Sequence, residues 1–231
     1  RAARQLAPHL DCISAERIQE ELAKLLAAPQ PGVYLEPAVL AVVLPELTPE
    51  SLTAAKPVVD ACPAGEENLP VRWAALLGAL GEADTRRVLK RLRCSNACIE
   101  ETAVLVRETA GQGVSEEKAS AHPGDIHIRQ LLGRYGLRTV ERLCALCAAL
   151  HPQNAPDCAL AAQRARQLEA DGVCCRVSQL AVNGRDLMAA GIPAGPALRR
   201  VLEALLDGVI RAEYPNEKPA LLAAAQKIIA S

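Results

Sequence analysis

Apolar residues recur every three to four positions along almost the whole chain, in stretches cut short by Pro or Gly. That spacing lays a single apolar stripe along a helix, whereas a half-buried strand needs strict alternation. Ala and Leu supply 43 and 33 of the 231 residues, and Phe is absent. Such a mix of small and unbranched side chains favours packed helices over a sandwich or barrel. The expected fold class is therefore all-α. No apolar run approaches the ~18 residues that cross a bilayer, so no membrane partner is expected. No basic segment with an apolar core opens the chain, so no secretory signal is expected and the nine cysteines are read as reduced cytoplasmic thiols. The first residue is Arg1, not Met, which suggests a piece of a longer protein.

Ser14 is placed to cap a helix with Ile18, Leu22 and Leu25 on one face, stopped by Pro29. Six prolines between Pro31 and Pro63 are expected to allow only short helices, such as Tyr34–Val43, and Ala61–Asn68 reads as a linker. Pro70 leads into a helix with Trp73, Leu76, Leu77 and Leu80. A basic amphipathic helix through Val88, Leu89 and Leu92 follows, then one from Asn96. Gly111–Gly124 is polar and reads as a loop. Helices are expected again at Asp125–Tyr135, Thr139–Leu150 and Pro156–Asp171. Near the end, Asn183-Gly184 signals a turn, and Gly191–Pro196 forms a rigid hairpin before a helix with Leu198, Val201, Leu202, Leu205, Val209 and Ile210 inside. Asn216 is expected to cap a last helix carrying Leu221, Leu222, Ile228 and Ile229.

Little here suggests chemistry. There is no Asp-x-Asp, no Gly-rich phosphate loop and no nucleophile elbow. Gly184-Arg185-Asp186 stands alone and reads as a turn with a helix cap at Asp186. His122 and His127 flank a single carboxylate, Asp125, a poor metal set. Cys144, Cys147 and His151 share a helical face, but structural zinc takes Cys-x-x-Cys from turns, so this face, like Cys94/Cys98 and Cys174-Cys175, reads as packing. No catalytic, cofactor-binding or metal-ligating residue is assigned.

Two features suit a phosphate backbone. Arg86, Arg87, Lys90, Arg91 and Arg93 place five positive charges within eight residues, and helical offsets align Arg86, Lys90 and Arg93 in one strip. The competing reading is a solvated outer face. The second feature is the Gly195-Pro196 entry to the helix bearing Arg199 and Arg200, where free N–H groups and the helix dipole favour an anion. A formal net charge of −1 means that any nucleic acid must be held by such local patches.

Ile13-Ser14-Ala15-Glu16-Arg17-Ile18-x-x-Glu21-Leu22-x-Lys24-Leu25-Leu26, followed by Leu44-Pro45-Glu46-Leu47, resembles the neck helix of bacterial CCA-adding tRNA nucleotidyltransferases. Val71-Arg72-Trp73-Ala74-Ala75-Leu76-Leu77 and Leu89-x-x-Leu92-Arg93-x-Ser95-Asn96 resemble the next domain of that family. Asn183-Gly184-x-Asp186-Leu187-Met188-x-x-Gly191-Ile192-x-x-Gly195-Pro196 through Asn216-Glu217-Lys218 is similar to its tail. The resemblance implies an elongated array of neck (1–66), body (67–171) and tail (172–231) helical domains that holds the tRNA elbow and acceptor region. The same resemblance implies that magnesium, CTP and ATP bind a head domain absent from this chain, a missing N-terminal partner, so the chain alone is expected to be inactive. Arg185 and Lys218 join the two basic features as candidate RNA contacts. Many relatives carry Leu-Leu-His-Asp after the Trp motif. Here Leu77-Gly78-Ala79 stands instead, which argues against a metal-dependent phosphohydrolase centre. A poly(A) polymerase of the same family and a non-enzymatic helical interaction module remain the alternatives.

Overall fold

The computed structural model describes residues 13–110 and 125–230, and all regular structure among them is helical. The expected all-α class is what the structure shows. The Gly111–Gly124 loop and His122 lie outside the described residues. The chain divides into two compact units, Arg1–Ser120 with Glu141–Leu160, and Ala121–Val140 with Ala161–Ser231.

In the first unit, α1 (Ala15–Ala27) starts where expected, the Ser14 hydroxyl accepting from the Arg17 N–H at 3.3 Å. Its buried stripe is Leu22 and Leu26. A 3₁₀ turn, Pro31–Tyr34, is pinned by the Gly32 N–H donating to Asp60 at 2.7 Å. Helix α2 (Pro37–Val43) is short, as the prolines suggested, but α3 (Pro49–Ala61) runs 13 residues with Pro57 inside it. An interior proline costs about 3 kcal/mol. Leu52, Ala55 and Val59, all buried in the core, offset that cost, which is why the proline count under-read the helix.

Helix α4 (Leu69–Leu77) is the hub: every residue from Pro70 to Leu77 is buried, and it packs against α1, α3 and α6. In this Phe-free chain, Trp73 is the bulkiest fully buried side chain, with leucines filling most of the space around it. Helices α5 (Gly81–Arg91) and α6 (Asn96–Ala110) close the other side. Arg72 is 1% exposed, and its guanidinium donates to four carbonyls: Leu26 and Ala28 at 2.5 Å, and Cys62 and Pro63 at 2.9 Å. These groups belong to the C-terminal ends of α1 and α3, where the last carbonyls have no intrahelical partner. One positive group thus finishes two helices. The Ala61–Asn68 stretch is therefore no free linker. It is clamped by Arg72, and Gly65 N–H also bonds back to Ala27 O at 3.0 Å.

Helices α7 (Asp125–Tyr135), α8 (Leu137–Leu150) and α9 (Ala155–Ala170) follow. In the second unit, α10 (Gly184–Ala189), α11 (Pro196–Ile210) and α12 (Lys218–Ala230) surround a core of Leu187, Ile192, Val201, Leu205, Val209 and Leu221. Arg129 repeats the role of Arg72, donating to Ile210 O at 3.0 Å and Cys174 O at 2.9 Å. Gly133 lets α7 approach the chain so closely that a Cβ there would stand 2.0 Å from the Cys175 carbonyl oxygen. Asn216 does not cap α12: its side chain accepts from Ala181 N–H and donates to Gln179 O, tying down the 179–181 segment. The Leu221 N–H bonds to Glu217 O, which makes Glu217 the start of the helix. Ile229, expected inside, is 52% exposed.

Candidate nucleic-acid interface

The basic run on α5 separates into two groups. Glu82 and Asp84 occupy the first turn of α5, with Lys90 and Arg91 in its last, the distribution that complements a helix dipole. Arg86 is committed inside the unit: it pairs with Glu82 at 3.1 Å and, across to α6, with Glu100 at 2.5 Å. The Arg86 hydrogen bond holds the Glu100 carboxyl below the usual range. Arg107 also reaches Glu82, at 3.5 Å. Arg91 bonds to Glu46 at 2.8 Å and to Val43 O at 3.2 Å, finishing the C-terminal end of α2.

Arg87, Lys90 and Arg93 face solvent instead. Arg87 makes only an exposed pair with Asp84 at 3.0 Å, and Lys90 forms no ion pair among the described residues. Arg93 lies beyond the helix, at φ 60°, with a loose 3.8 Å contact to Glu16. The strip of Arg86, Lys90 and Arg93 therefore does not exist as a helical face. Arg86 leans toward its carboxylates, and α5 has ended before Arg93.

In the second unit, Asn183 caps α10, accepting from Arg185 N–H at 2.8 Å and Asp186 N–H at 3.2 Å, while Asp186 accepts from Asn183 N–H. Asn183, not Asp186, is the cap, and Asp186 completes the box three residues on. Lys218 donates to Asp186 at 2.6 Å, and this bond lowers the Asp186 carboxyl below its ordinary value, helped by the Asn183 backbone. The Gly184-Arg185-Asp186 fragment is thus a built cap, with the Arg185 side chain left exposed. Gly195 takes φ 110° at the entry to α11 and supplies no side-chain cap. Arg199 pairs along its own helix with Glu203 at 2.8 Å, whereas Arg200 is exposed and forms no ion pair among the described residues. A further exposed cation went unread in the sequence: Arg134 sits 5.7 Å over the Tyr135 ring. The adjacent Arg-Tyr pair is the signal that could have found it.

Burial pushes the Cys147 thiol up to about 12, with smaller contributions from Cys158 and Cys144 nearby. Among the described residues no group of three or more His, Cys, Asp or Glu is placed to hold a metal ion, and no described helix is long and apolar enough to cross a membrane.

Two family models match this chain. Residues 1–51 match a model described as an RNA and SrmB-binding site of polymerase A, a helical RNA-binding class. Residues 67–225 match tRNA nucleotidyltransferase domain 2, and the chain belongs to that family. It is 29% identical to a CCA-adding enzyme of Geobacillus kaustophilus over 95% of this chain and 52% of that one. Another CCA-adding enzyme, from Pseudomonas putida, is 33% identical over 45% of this chain and 28% of its own. A third, from Levilactobacillus brevis, is 56% identical over 20% and 11%. The chain thus spans about half or less of the length of these relatives. No solved structure matches.

Proposed function

We propose that this chain is the tRNA-holding helical portion of a CCA-adding nucleotidyltransferase, with nucleotide transfer performed by a head domain outside it. The observation that carries the reading is the likeness to a CCA-adding enzyme along 95% of this chain but only 52% of the relative. The exposed cations support it. Of the cations read as RNA contacts, Arg87, Lys90 and Arg93 in one unit, and Arg185 and Arg200 in the other, are exposed without a strong partner and suit RNA phosphates. Arg199 and Lys218 can join only by trading their carboxylates, and after Gly195 the first turn of α11 would offer the N–H groups of Ala197 and Leu198, Pro196 having none. Magnesium, CTP and ATP belong, on this proposal, to the head.

The test is a tRNA titration across salt concentrations. Each phosphate contact adds roughly 0.7–0.9 to the slope of log affinity on log salt. Charge reversal at Arg87 with Lys90, or at Arg185 with Arg200, is expected to flatten that slope with helicity unchanged. Equally negligible binding at low and moderate salt would overturn the proposal, as would extension of a tRNA end by this chain alone. The match of residues 1–51 to a polymerase A model keeps a second reading, a poly(A) polymerase portion. That reading gains if an unstructured RNA 3′ end binds as well as folded tRNA.

A further inference from the structure

Helix α7 ends at Tyr135 and α8 begins at Leu137, so a single residue makes the corner between them. Gly136 takes φ 78°, its N–H donating to Leu132 O at 2.9 Å and its carbonyl accepting from Val140 N–H at 3.2 Å. Few side chains tolerate that conformation, so glycine lets one helix finish and the next start without a loop. Arg134 and Arg138 therefore leave the chain two residues to either side of the corner, and both are exposed.

A third arginine reaches the same corner from a distant part of the sequence. An outer nitrogen of Arg176 lies 3.9 Å from the point where a Cβ of Gly136 would stand. Its backbone is fixed there by three separate contacts. Gly133 admits the Cys175 carbonyl against α7, and Arg129 donates to Cys174 O at 2.9 Å. The Gln179 side chain accepts from the N–H groups of Cys175 and Arg176 at 2.8 and 2.9 Å. The Arg176 guanidinium pairs with Glu169 of α9 at 3.3 Å, and more than a third of each side chain stays open to water. An exposed pair of this kind is weak and easily exchanged. Arg134 forms no ion pair among the described residues and rests over the Tyr135 ring.

We propose that Arg134 and Arg176, with Arg138 beside them, form a phosphate-binding corner for the backbone of the bound RNA. The proposal rests on the tRNA-holding role argued above and adds a contact outside the two basic features read from the sequence. A guanidinium presents paired donors that match a phosphate's oxygens, which suits arginine to this task. Arg134 engages with no carboxylate to leave, whereas Arg176 exchanges Glu169 for the phosphate. Such contacts fix where the RNA lies without reading its sequence.

The test is a titration of the chain with a tRNA transcript across salt concentrations. Counterion release makes one phosphate contact worth roughly five- to eightfold in affinity at about 0.1 M salt. Arg134→Gln and Arg176→Gln are each expected to weaken binding by that factor and to lower the salt slope by roughly 0.7–0.9, with circular dichroism unchanged. Arg134→Lys retains the charge and is expected to retain the slope. Glu169→Gln removes the group that competes for Arg176 and is expected to tighten binding by about 1.5- to fivefold. In the unmutated chain, saturating tRNA is expected to slow phenylglyoxal modification of Arg134 and Arg176. Unchanged affinity and slope in Arg134→Gln would overturn the proposal, as would equal modification rates with and without tRNA. If charge reversal at Arg185 with Arg200 still flattens the slope in that case, the tRNA-holding role stands and this corner alone fails. Negligible tRNA binding by the unmutated chain overturns both.

Discussion

Replacing Arg72 with Met keeps the length and apolar character of the side chain and removes the guanidinium. Four carbonyls at the ends of α1 and α3 then lose their donor in a place almost closed to water. Hydrogen bonds from a charged donor are worth about 1.5–3 kcal/mol each, so their sum sets a ceiling near ~10 kcal/mol. Removing the cation also returns its own desolvation cost, several kcal/mol. Local fraying will let some carbonyls find water. The expected net loss is about 3–5 kcal/mol, a large part of the ~5–15 kcal/mol typical of a whole domain. Trp73 is the sole tryptophan and neighbours Arg72 in the first unit, so its fluorescence through a urea titration reports on this unit. Arg72→Lys, with three donors on one point, is expected to fall between the two. A urea midpoint for Arg72→Met equivalent to a loss under ~1 kcal/mol, with an unchanged slope, would refute the account of Arg72 as a shared helix terminator.

Two further outcomes follow from the second unit. Gly133→Ala forces a Cβ against the Cys175 carbonyl, so despite a helix-propensity gain of ~1 kcal/mol it is expected to destabilise the unit by about 2 kcal/mol. A raised thermal midpoint would contradict that. The Asp186 carboxyl is lowered on folding, so its contribution is fully present above the ordinary carboxylate value and is lost as pH falls through the lower folded-state one. Asp186→Asn is therefore expected to speed amide exchange in α10 at neutral pH and to remove the acid-induced step there. An acid step of unchanged size in the variant would place its origin elsewhere.

The helices were legible because local signals agreed with the periodic pattern. Ser14 caps where its side chain predicted, and Val201, Leu205 and Val209 are buried as spaced, whereas the cap expected at Asp186 falls three residues earlier, on Asn183. What the sequence could not show was the destination of each arginine. Arg86 and Arg87 are neighbours, yet one bridges two helices and the other points outward, a choice made by Glu100, fourteen residues away. Arg91 depends in the same way on Glu46, and Arg72 on carbonyls that advertise nothing in the sequence. Cys94 and Cys98 read as packing and both lie against the core of the first unit, although the turn at Arg93 places Cys94 before the helix that carries Cys98.

Arg72 and Arg129 spend their positive charge on neutral peptide oxygens. Both still count in the formal −1, yet neither can meet an outside phosphate without leaving those oxygens. On the proposed RNA-holding role, a polyanion then feels almost no net pull from a distance, and guidance is confined to about 8 Å, a screening length at physiological salt, from the outward arginines.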